Sequence, residues 1–402
     1  MRRSPASGQR GSLARTLRDV GGRFIVPSGE EITRLLLAPE PLNELAKIIS
    51  AQIKITRVSI YQDGGGVNRA AAFFGRESEL SKILDRDPAN YFLIGGRQVG
   101  KSSLLKEIHR RCEARQTIQS HYLVLSDEDI EGPLAAALGA PERSMDAHLA
   151  DLSSGTGPPR LILVDEADSF VRADAERGYS TLRRFRALSE EGKAFFILTG
   201  FWSLYRSVYF DYTSAIRNFG EPIVIAELDR DASQSLITKP MGALNVRFES
   251  DSLVQRICDV SGRRANIMVR ICHVLIQSLP PEVRIIDEAT VEQAIRSPHV
   301  TGAVRSWQEL SGRDAVQANT IDRLLVYLIV ANAGATIGEL EQHLEAAGAT
   351  VTTEDLRESL TRLDIGFVIA RSDDDGYRIR VPLLLDQLRE TSPERAIASN
   401  AA

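Results

Sequence analysis

The sequence predicts an α/β fold, in which a domain with a parallel sheet is followed by an all-helical segment and a small C-terminal unit. Between residues 71 and 229, continuous apolar runs of strand length alternate with helical stretches, which is typical of a parallel sheet covered by helices on both faces. Between residues 230 and 300 the apolar spacing is helical throughout. Residues 317–390 predict three helices and then two short strands. These changes of pattern define the predicted domains.

Composition narrows the class of protein. The 402 residues are enough for two or three domains, and 43% hydrophobic with 26% charged residues is typical of a soluble globular protein. No apolar run approaches the roughly 20 residues of a membrane-spanning helix. Cys112, Cys258 and Cys272 have no paired spacing, so we expect a reduced, cytoplasmic protein without disulfides or structural zinc.

Residues 1–70 form an N-terminal extension in this interpretation. The first 24 residues are rich in arginine and lack the apolar segment of a secretory signal, which leaves an organelle transit peptide, a flexible leader or a start codon assigned too early. The composition favours the last two. Residues 29–53 predict one or two short helices with a break at proline, residues 54–62 a strand, and residues 63–68 a glycine-rich joint.

The core, residues 71–229, contains five apolar runs that predict strands of a doubly wound sheet. We expect these strands over residues 91–95, 121–125, 160–165, 194–199 and 222–228. Between them, residues 102–114 and 176–191 have helical spacing.

The remaining elements predict a helical lid and a winged helix. The lid, residues 230–300, has four helical stretches with Asp, Ser or Asn near their starts, over residues 231–241, 251–260, 265–279 and 287–296. The C-terminal unit has helices over residues 321–333, 336–348 and 352–364, then a hairpin over 367–381 that turns at Asp375-Gly376. This order is that of a winged helix. Residues 391–402 predict a disordered tail.

A complete phosphate-binding loop comes directly after the first strand. Gly95, four further residues, Gly100, Lys101 and Ser102 have the P-loop spacing, with a strand before them and a helix after them. The glycines let backbone N–H groups turn towards phosphate oxygens at a helix N-terminus, Lys101 reaches the β- and γ-phosphates, and the Ser102 hydroxyl binds Mg²⁺. We therefore expect ATP to contact Gly95, Gly96, Arg97, Gln98, Val99, Gly100, Lys101, Ser102 and Ser103.

An acidic pair ends the third strand. In a P-loop ATPase the acid at this strand end holds the Mg²⁺ shell, which assigns that role to Asp165, and the next residue, Glu166, is placed to act as general base on the attacking water. A capped strand end would explain one carboxylate but not two. Asp168 needs no role beyond starting the next helix. A helicase of the D-E-A-D type would need a second motor domain, and a helical segment stands in its place.

These motifs together resemble AAA+ and STAND ATPases, close to the origin-recognition-like and archaeal-type members. The resemblance is carried by "FFGRESEL", "GGRQVGKSSLL", "LILVDEAD", "AFFILTG" and "RNFGEPIVIAEL" in that order. It covers about three quarters of the chain and implies a P-loop core of the ASCE class, a helical lid and an appended winged helix, with ATP and Mg²⁺ as ligands.

The resemblance also implies roles for residues outside the P-loop. Phe74, Gly75 and Arg76 correspond to the box beside the nucleotide base. Thr199 has the sensor-1 position, although a buried threonine at a strand end is an equal alternative. Arg217 precedes the fifth strand, where an arginine finger reaches the nucleotide of a neighbouring subunit, although a surface arginine is also compatible with the sequence.

The sensor-2 position departs from the family pattern. The third lid helix opens with "SGRRANIM", in which Ala265 stands where proline or arginine is usual. Arg263 or Arg264 is then available to contact phosphate, or both face solvent. We select Arg264 as the candidate.

Charge bears on the C-terminal unit, because a winged helix that reads DNA presents basic residues to the phosphates. From Gln317 onward the chain has 8 basic and 14 acidic residues. The third helix has four acidic residues and two arginines, which are Glu354, Asp355, Glu358, Asp364, Arg357 and Arg362. The hairpin tip has three carboxylates, Asp373 to Asp375. A protein-docking or autoinhibitory surface is therefore favoured over DNA binding.

Three functions remain open. The favoured one is an ATP-binding, slowly hydrolysing molecular switch that acts through a homo-oligomer or a partner protein, which in STAND-like proteins serves signalling or defence. The alternatives are an origin-recognition-like DNA-binding ATPase and a nucleotide-dependent scaffold without turnover. The acidic pair counts against the scaffold, and the acidic C-terminal unit counts against DNA binding.

Overall fold

In the computed structural model, the described part of the chain opens with two helices that contact each other. The described residues are 25–52, 61, 67, 70–115, 118–139, 141–154, 157–280, 283–310, 315–373 and 375–401. Helices α1 (Gly29–Leu37) and α2 (Pro41–Gln52) agree with the expected proline break. A capping box between Ser28 and Glu31 starts α1. The predicted leader, strand and joint before residue 69 lie outside the described residues, apart from Tyr61 and Val67.

A five-stranded parallel sheet forms the centre of the described core. Its strands are β1 (Tyr91–Ile94), β2 (Gln119–Val124), β3 (Arg160–Asp165), β4 (Ala194–Gly200) and β5 (Glu221–Val224). Their order in the sheet is β2-β3-β4-β1-β5, and every pairing is parallel. The sequence predicts all five strands, but β5 ends four residues before the expected Leu228.

Helices cover both faces of this sheet, as the continuous apolar strands require. They are α3 (Glu77–Leu84), α4 (Lys101–Arg115), α5 (Glu131–Ala137), α6 (Met145–Ser154), α7 (Asp168–Glu176), α8 (Ser180–Glu190) and α9 (Trp202–Tyr209). Alternate residues of a strand point to opposite faces, so Leu93 lies in one apolar cluster and Phe92 in the other. The helix predicted over 176–191 is α8, which begins only at Ser180 because the chain turns at Gly178 and Tyr179, both with positive φ. Helix α7 precedes this turn and ends at Glu176.

The lid is mainly helical but contains a small sheet. Its elements are α10 (Arg230–Ala243), β6 (Arg247–Phe248), α11 (Asp251–Val260), α12 (Ala265–Ser278), β7 (Ile285–Ile286), α13 (Glu288–Ile295) and α14 (Pro298–Thr301). The four expected helices are present, and Asp229 caps α10 by accepting from the backbone N–H of Ala232. The all-helical expectation is wrong at β6 and β7, where two-residue segments pair in parallel and are too short to give a period-2 pattern.

The C-terminal unit has the predicted order of three helices and a hairpin. After a 3₁₀ helix at Gly302–Glu309 come α15 (Val316–Ala331), α16 (Ile337–Ala346), α17 (Thr353–Ile365), β8 (Ile369–Arg371), β9 (Tyr377–Ile379), α18 (Pro382–Glu390) and α19 (Pro393–Ala401). Strands β8 and β9 are antiparallel. The expectation of a disordered tail is wrong, because α19 packs along α15 and places Ala396 and Ile397 against the core.

A buried ion pair stabilises this unit. Arg362 on α17 donates from Nε and Nη2 to the two carboxylate oxygens of Asp322 on α15, at 2.9 and 2.7 Å. The Ser359 hydroxyl accepts a further bond from Arg362. Both charged side chains are almost fully buried, so neither is compensated by water if its partner is removed.

We expect Asp322→Asn to lower the free energy of unfolding by about 3–5 kcal/mol, because it leaves a buried guanidinium without a counter-ion. Urea unfolding followed by tryptophan fluorescence measures this change. The matched control is Asp375→Asn, whose carboxylate forms an exposed pair with Arg371 and should cost little. Equal midpoints for the two variants would contradict the assignment.

Candidate active site

Three strand ends meet at one edge of the sheet and form the site. The P-loop comes after β1, Asp165 ends β3, and Thr199 lies near the end of β4. Because β4 lies between β1 and β3, Thr199 is placed between the P-loop and the acidic pair. The carboxyl ends of parallel strands are where α/β proteins bind ligands.

The P-loop is tightly curled around the Lys101 ammonium. Lys101 Nζ donates to the carbonyl oxygens of Gly95 and Gly96, at 2.7 and 2.8 Å. Burial lowers the pKa of Lys101, and the nearby carboxylates of Glu166, Asp168 and Asp165 oppose that shift. A side chain at Gly95 would lie 2.7 Å from the carbonyl oxygen of Ile225, so the first glycine of the motif is sterically required.

The other P-loop residues face different neighbours. Arg97 and Gln98 are exposed and Val99 is buried. Gly100 has a φ of 102°, which favours glycine. The chain then enters α4, which begins at Lys101 and carries the half-buried Ser102 and Ser103 in its first turn. The Ser103 hydroxyl accepts from the backbone N–H of Val67, 3.1 Å away.

The Asp165 carboxylate is held by three donors. Its Oδ1 accepts from the Thr199 hydroxyl at 2.6 Å and from the Glu166 backbone N–H at 3.2 Å. Its Oδ2 accepts from the Tyr122 hydroxyl at 3.0 Å. Thr199 is fully buried, so its hydroxyl serves Asp165 in this structure. Sequence reasoning did not identify Tyr122, because its approach to Asp165 depends on the register of β2 against β3.

Glu166 differs from Asp165 in exposure and backbone conformation. Its side chain is exposed, and its φ of 58° is unusual for a residue with a Cβ. Its N–H also approaches the Thr199 hydroxyl oxygen at 3.2 Å, which fixes the turn after β3. The side chain is thus presented at the open edge of the site, on a strained turn.

Asp168 has a larger role than starting a helix. It does start α7, but its buried carboxylate also accepts from the backbone N–H groups of Phe201 and Leu204, at 2.6 and 3.1 Å. It therefore satisfies the first turn of α9 from across the site. Burial raises the pKa of Asp168, against the effect of these donors and of Lys101.

The box expected beside the base packs against the start of the lid. Phe74 is partly buried against the core, and a Cβ at Gly75 would lie 2.5 Å from Cβ of Ala232 on α10. Arg76 is buried and donates to the carbonyl oxygens of Ala226, Glu227 and Val99. It therefore connects the box, the P-loop and the chain that leads into the lid.

Arg264 is a buried cation directed at the P-loop. It is 8% exposed, immediately precedes α12, and donates from Nη2 to the Arg97 carbonyl oxygen at 3.0 Å. Within the described residues its Nε has no hydrogen-bond partner, and burial lowers the pKa of Arg264 to about 10. Arg263 instead pairs with Glu227. Of the two arginines at the sensor-2 position, Arg264 is therefore the one that faces the P-loop.

Arg217 lies in the surface loop before β5. It is exposed and stacks on the Tyr212 ring, with its guanidinium carbon 4.2 Å from the ring centroid. An exposed guanidinium in this loop is compatible both with an ordinary surface arginine and with a finger directed at a neighbouring subunit. The two alternatives for Arg217 therefore stay open.

The C-terminal unit contacts the P-loop directly, which the sequence did not reveal. The Gly96 N–H donates to the carbonyl oxygen of Ile365 at 3.0 Å, and a Cβ at Gly96 would lie 2.8 Å from the carbonyl oxygen of Gly366. The next residue, Phe367, has a φ of 66° and lies under the Arg264 guanidinium, 5.5 Å from the ring centroid. The turn after α17 is thus part of the site.

Further contacts join the C-terminal unit to the core and the lid. The Arg362 guanidinium lies over the Trp202 ring of α9, 4.9 Å from its centroid. Glu227, just after β5, accepts from Arg263 of the lid at 3.1 Å and from Arg380 of the C-terminal unit at 2.7 Å. Arg380 also lies over the Phe367 ring.

The residues present fit a magnesium ion that accompanies a nucleotide. Such an ion takes few protein ligands and keeps water and phosphate oxygens. Asp165 and Ser102 supply a carboxylate and a hydroxyl at the correct strand and helix ends. The described residues contain no group of three or more His, Cys, Asp or Glu side chains able to hold a metal by themselves.

None of the helices in the described part of the chain is long and apolar enough to cross a lipid bilayer.

Two solved structures have the same fold. The Walker-type ATPase PabY2304 of Pyrococcus abyssi is 16% identical, with 82% of this chain and 99% of that chain covered and a TM-score of 0.58. The ORC2 protein of Aeropyrum pernix, in its ADPNP–ADP complexes, is 15% identical, with 84% of this chain and 97% of that chain covered and a TM-score of 0.55. No model of a protein family matches the sequence. No curated protein matches it.

At these identities the likeness concerns the fold alone. The predicted α/β fold with a parallel sheet is confirmed, both by the sheet itself and by its likeness to these two structures. The site residues themselves rest on the geometry described above.

We expect Arg264→Met to leave the free energy of unfolding unchanged or to raise it, because the variant removes a desolvated cation that has no counter-ion among the described residues. The matched control is Arg362→Met, which leaves Asp322 buried without its partner and should be strongly destabilising. Thermal and urea unfolding measure both. A loss for Arg264→Met as large as for Arg362→Met would show that Arg264 is a structural requirement of the fold.

Proposed function

We propose that this chain is an ATP-binding and slowly hydrolysing AAA+-type molecular switch whose C-terminal unit responds to the state of the P-loop. The proposal rests on one observation, which is that the P-loop forms hydrogen bonds with both the lid and the C-terminal unit. Arg264 of the lid donates to the Arg97 carbonyl oxygen. The Gly96 N–H donates to the carbonyl oxygen of Ile365 in the C-terminal unit. A ligand in the P-loop therefore acts on both.

Binding of the triphosphate rests on groups that are already in place. The Lys101 ammonium is held at the mouth of the curled loop, and α4 begins at this residue, so its N-terminal dipole favours an anion. Arg264 is a buried guanidinium whose Nε–H has no acceptor in the part of the chain that the structure describes. An anion beside it would compensate its charge, which is why we assign it to the phosphates. Phe74, Gly75 and Arg76 would enclose the base end.

Hydrolysis would use the acidic pair in two separate roles. Asp165 and Ser102 would hold Mg²⁺, which when bound supplies positive charge to the phosphate oxygens. Glu166 presents an exposed carboxylate at the same edge and would accept a proton from the attacking water. Thr199 keeps the Asp165 carboxylate in one orientation through its 2.6 Å hydrogen bond.

The contact between Gly96 and the turn after α17 supports a switch over a scaffold. Backbone packing this close cannot adjust gradually, since Gly96 and Gly366 leave no room for a side chain between them. A change in P-loop conformation would displace the turn and, with it, α17. Two discrete arrangements are the physical basis of such switching.

The same packing weighs against the DNA-binding alternative. Arg362, one of two arginines on α17, is buried against Asp322 and Trp202. Glu354 and Asp355 lie in the first turn of this helix and remain at the surface. The face left to solvent is therefore less basic than the sequence suggested, whereas DNA binding requires cations at the phosphates.

The output would pass to a partner protein or to further copies of the chain. Arg217 is exposed and stacked on an exposed tyrosine, a combination common at protein interfaces. Its assignment as an arginine finger, acting on the nucleotide of a neighbour, is part of this proposal. The resemblance to STAND ATPases supports a signalling or defence role.

We expect Lys101→Ala to abolish ATP binding, and Glu166→Gln to retain binding while lowering the hydrolysis rate by two to four orders of magnitude, since it removes the general base. Fluorescent-nucleotide titration and phosphate release measure the two steps. Glu176→Gln, on the outer end of α7, is the control for Glu166. Undiminished binding by Lys101→Ala, or unchanged turnover by Glu166→Gln, would overturn the proposal.

We expect Arg380→Ala to accelerate exchange of bound nucleotide by roughly tenfold, which corresponds to the loss of a contact worth about 1.4 kcal/mol. The variant loses the bond to Glu227 and the stacking on Phe367, and so weakens the C-terminal unit against the site. Stopped-flow release of a fluorescent ADP measures the rate. Arg378→Ala, at an exposed position of β9 two residues earlier, should exchange at the wild-type rate. Equal rates for all three proteins would show that the C-terminal unit does not restrain the site.

A further inference from the structure

Tyr122, on β2, forms a hydrogen bond with the first residue of the acidic pair. In the parallel register of β2 and β3, Val124 lies opposite Asp165, so Tyr122 is two residues back on the same face of the sheet. From there its phenol is long enough to bring the hydroxyl to 3.0 Å from Oδ2 of Asp165. The ring is half-buried and stacks against His109 of α4, which holds it in this direction.

The donors on Asp165 leave a defined site for a metal or its water. A carboxylate has about four lone-pair positions, two on each oxygen. Oδ1 uses both of its positions, for the Thr199 hydroxyl and the Glu166 N–H. Oδ2 uses one, for Tyr122. Counting the donors of the described residues, one position on Oδ2 remains, and its direction is set by the Tyr122 hydroxyl.

We propose that Tyr122 is a positioning residue for magnesium, which directs the remaining lone pair of Asp165 towards the metal and its water. The inference rests on the proposed function, because it assigns the metal-binding role to Asp165. It adds a residue from β2, a strand that carries no recognised motif in this sequence.

The Tyr122 hydroxyl is suited to this role because it donates to Asp165, whereas an ionised carboxylate can only accept. Partners of this kind, bonded to a metal ligand and not to the metal, orient the ligand and contribute to metal affinity.

The test is Tyr122→Phe, which removes one oxygen atom and keeps the ring against His109. A titration with Mg²⁺ of the complex with a fluorescent, non-hydrolysable ATP analogue gives the metal affinity without turnover. We expect the magnesium concentration at half-saturation to rise roughly tenfold. Binding of the analogue in EDTA should be unchanged, because Tyr122 acts only through the metal ligand.

Two comparisons make the result specific. Tyr209→Phe, which alters an exposed tyrosine on α9, should give the wild-type magnesium curve. Thr199→Val, which removes a donor from the other carboxylate oxygen, should weaken magnesium binding as well. Thermal unfolding shows whether each variant is folded; if Tyr122→Phe is not, Tyr122→Leu provides a second variant without the hydroxyl.

The outcomes separate this inference from the proposed function. A wild-type protein that binds no nucleotide, or binds it with no dependence on Mg²⁺, would contradict the proposed function. A wild-type protein that shows the dependence, together with a folded Tyr122→Phe that matches its curve, would contradict the role of Tyr122 alone. If Tyr122→Phe weakens analogue binding in EDTA as much as in Mg²⁺, the residue affects the nucleotide and not the metal, and the inference is wrong.

Discussion

The order of the sheet is the constraint on which the site depends. Because β4 lies between β1 and β3, the P-loop and Asp165 are separated by one strand, and the gap between them is bridged by the Thr199 hydroxyl. A neighbouring order, with β3 beside β1, would leave no strand between lysine and acid. The spacing between Lys101 and Asp165 is therefore a property of strand order, and the side chains refine it.

Two buried cations lie at this edge of the sheet, and burying them does not stabilise the fold. Lys101 and Arg264 are both buried, and in each the burial lowers the pKa. Nearby carboxylates oppose this shift for Lys101, whereas no charged group among the described residues opposes it for Arg264. A buried cation without a counter-ion costs stability, and an anionic ligand beside Arg264 would offset that cost. Arg362 differs from these two cations, because its buried charge is compensated within the chain by the Asp322 carboxylate.

The fold was more predictable than the site, because its signals are local. The five strands are apolar runs of the expected length, the P-loop and the acidic pair are short motifs with fixed spacing, and capping residues such as Asp229 mark the lid helices. Strands β6 and β7 were not predicted because two residues are too few to show an alternating pattern. Helix α19 was not predicted because its apolar residues are buried only through packing against α15. Within the site, Tyr122 reaches Asp165 through the register of two strands, across 43 positions of the chain. The contact between Gly96 and Ile365 spans most of the protein and has no local signal.

Glu227 connects three parts of the molecule. Its carbonyl oxygen accepts from Arg76 of the box, and its carboxylate accepts from Arg263 of the lid and Arg380 of the C-terminal unit. Both carboxylate pairs are partly open to water, so dissolved ions compete with them. The mechanical stiffness of this junction should therefore fall as ionic strength rises, while the apolar core of each domain remains intact. Added salt should therefore weaken the contacts between the core, the lid and the C-terminal unit before it affects the folding of each unit.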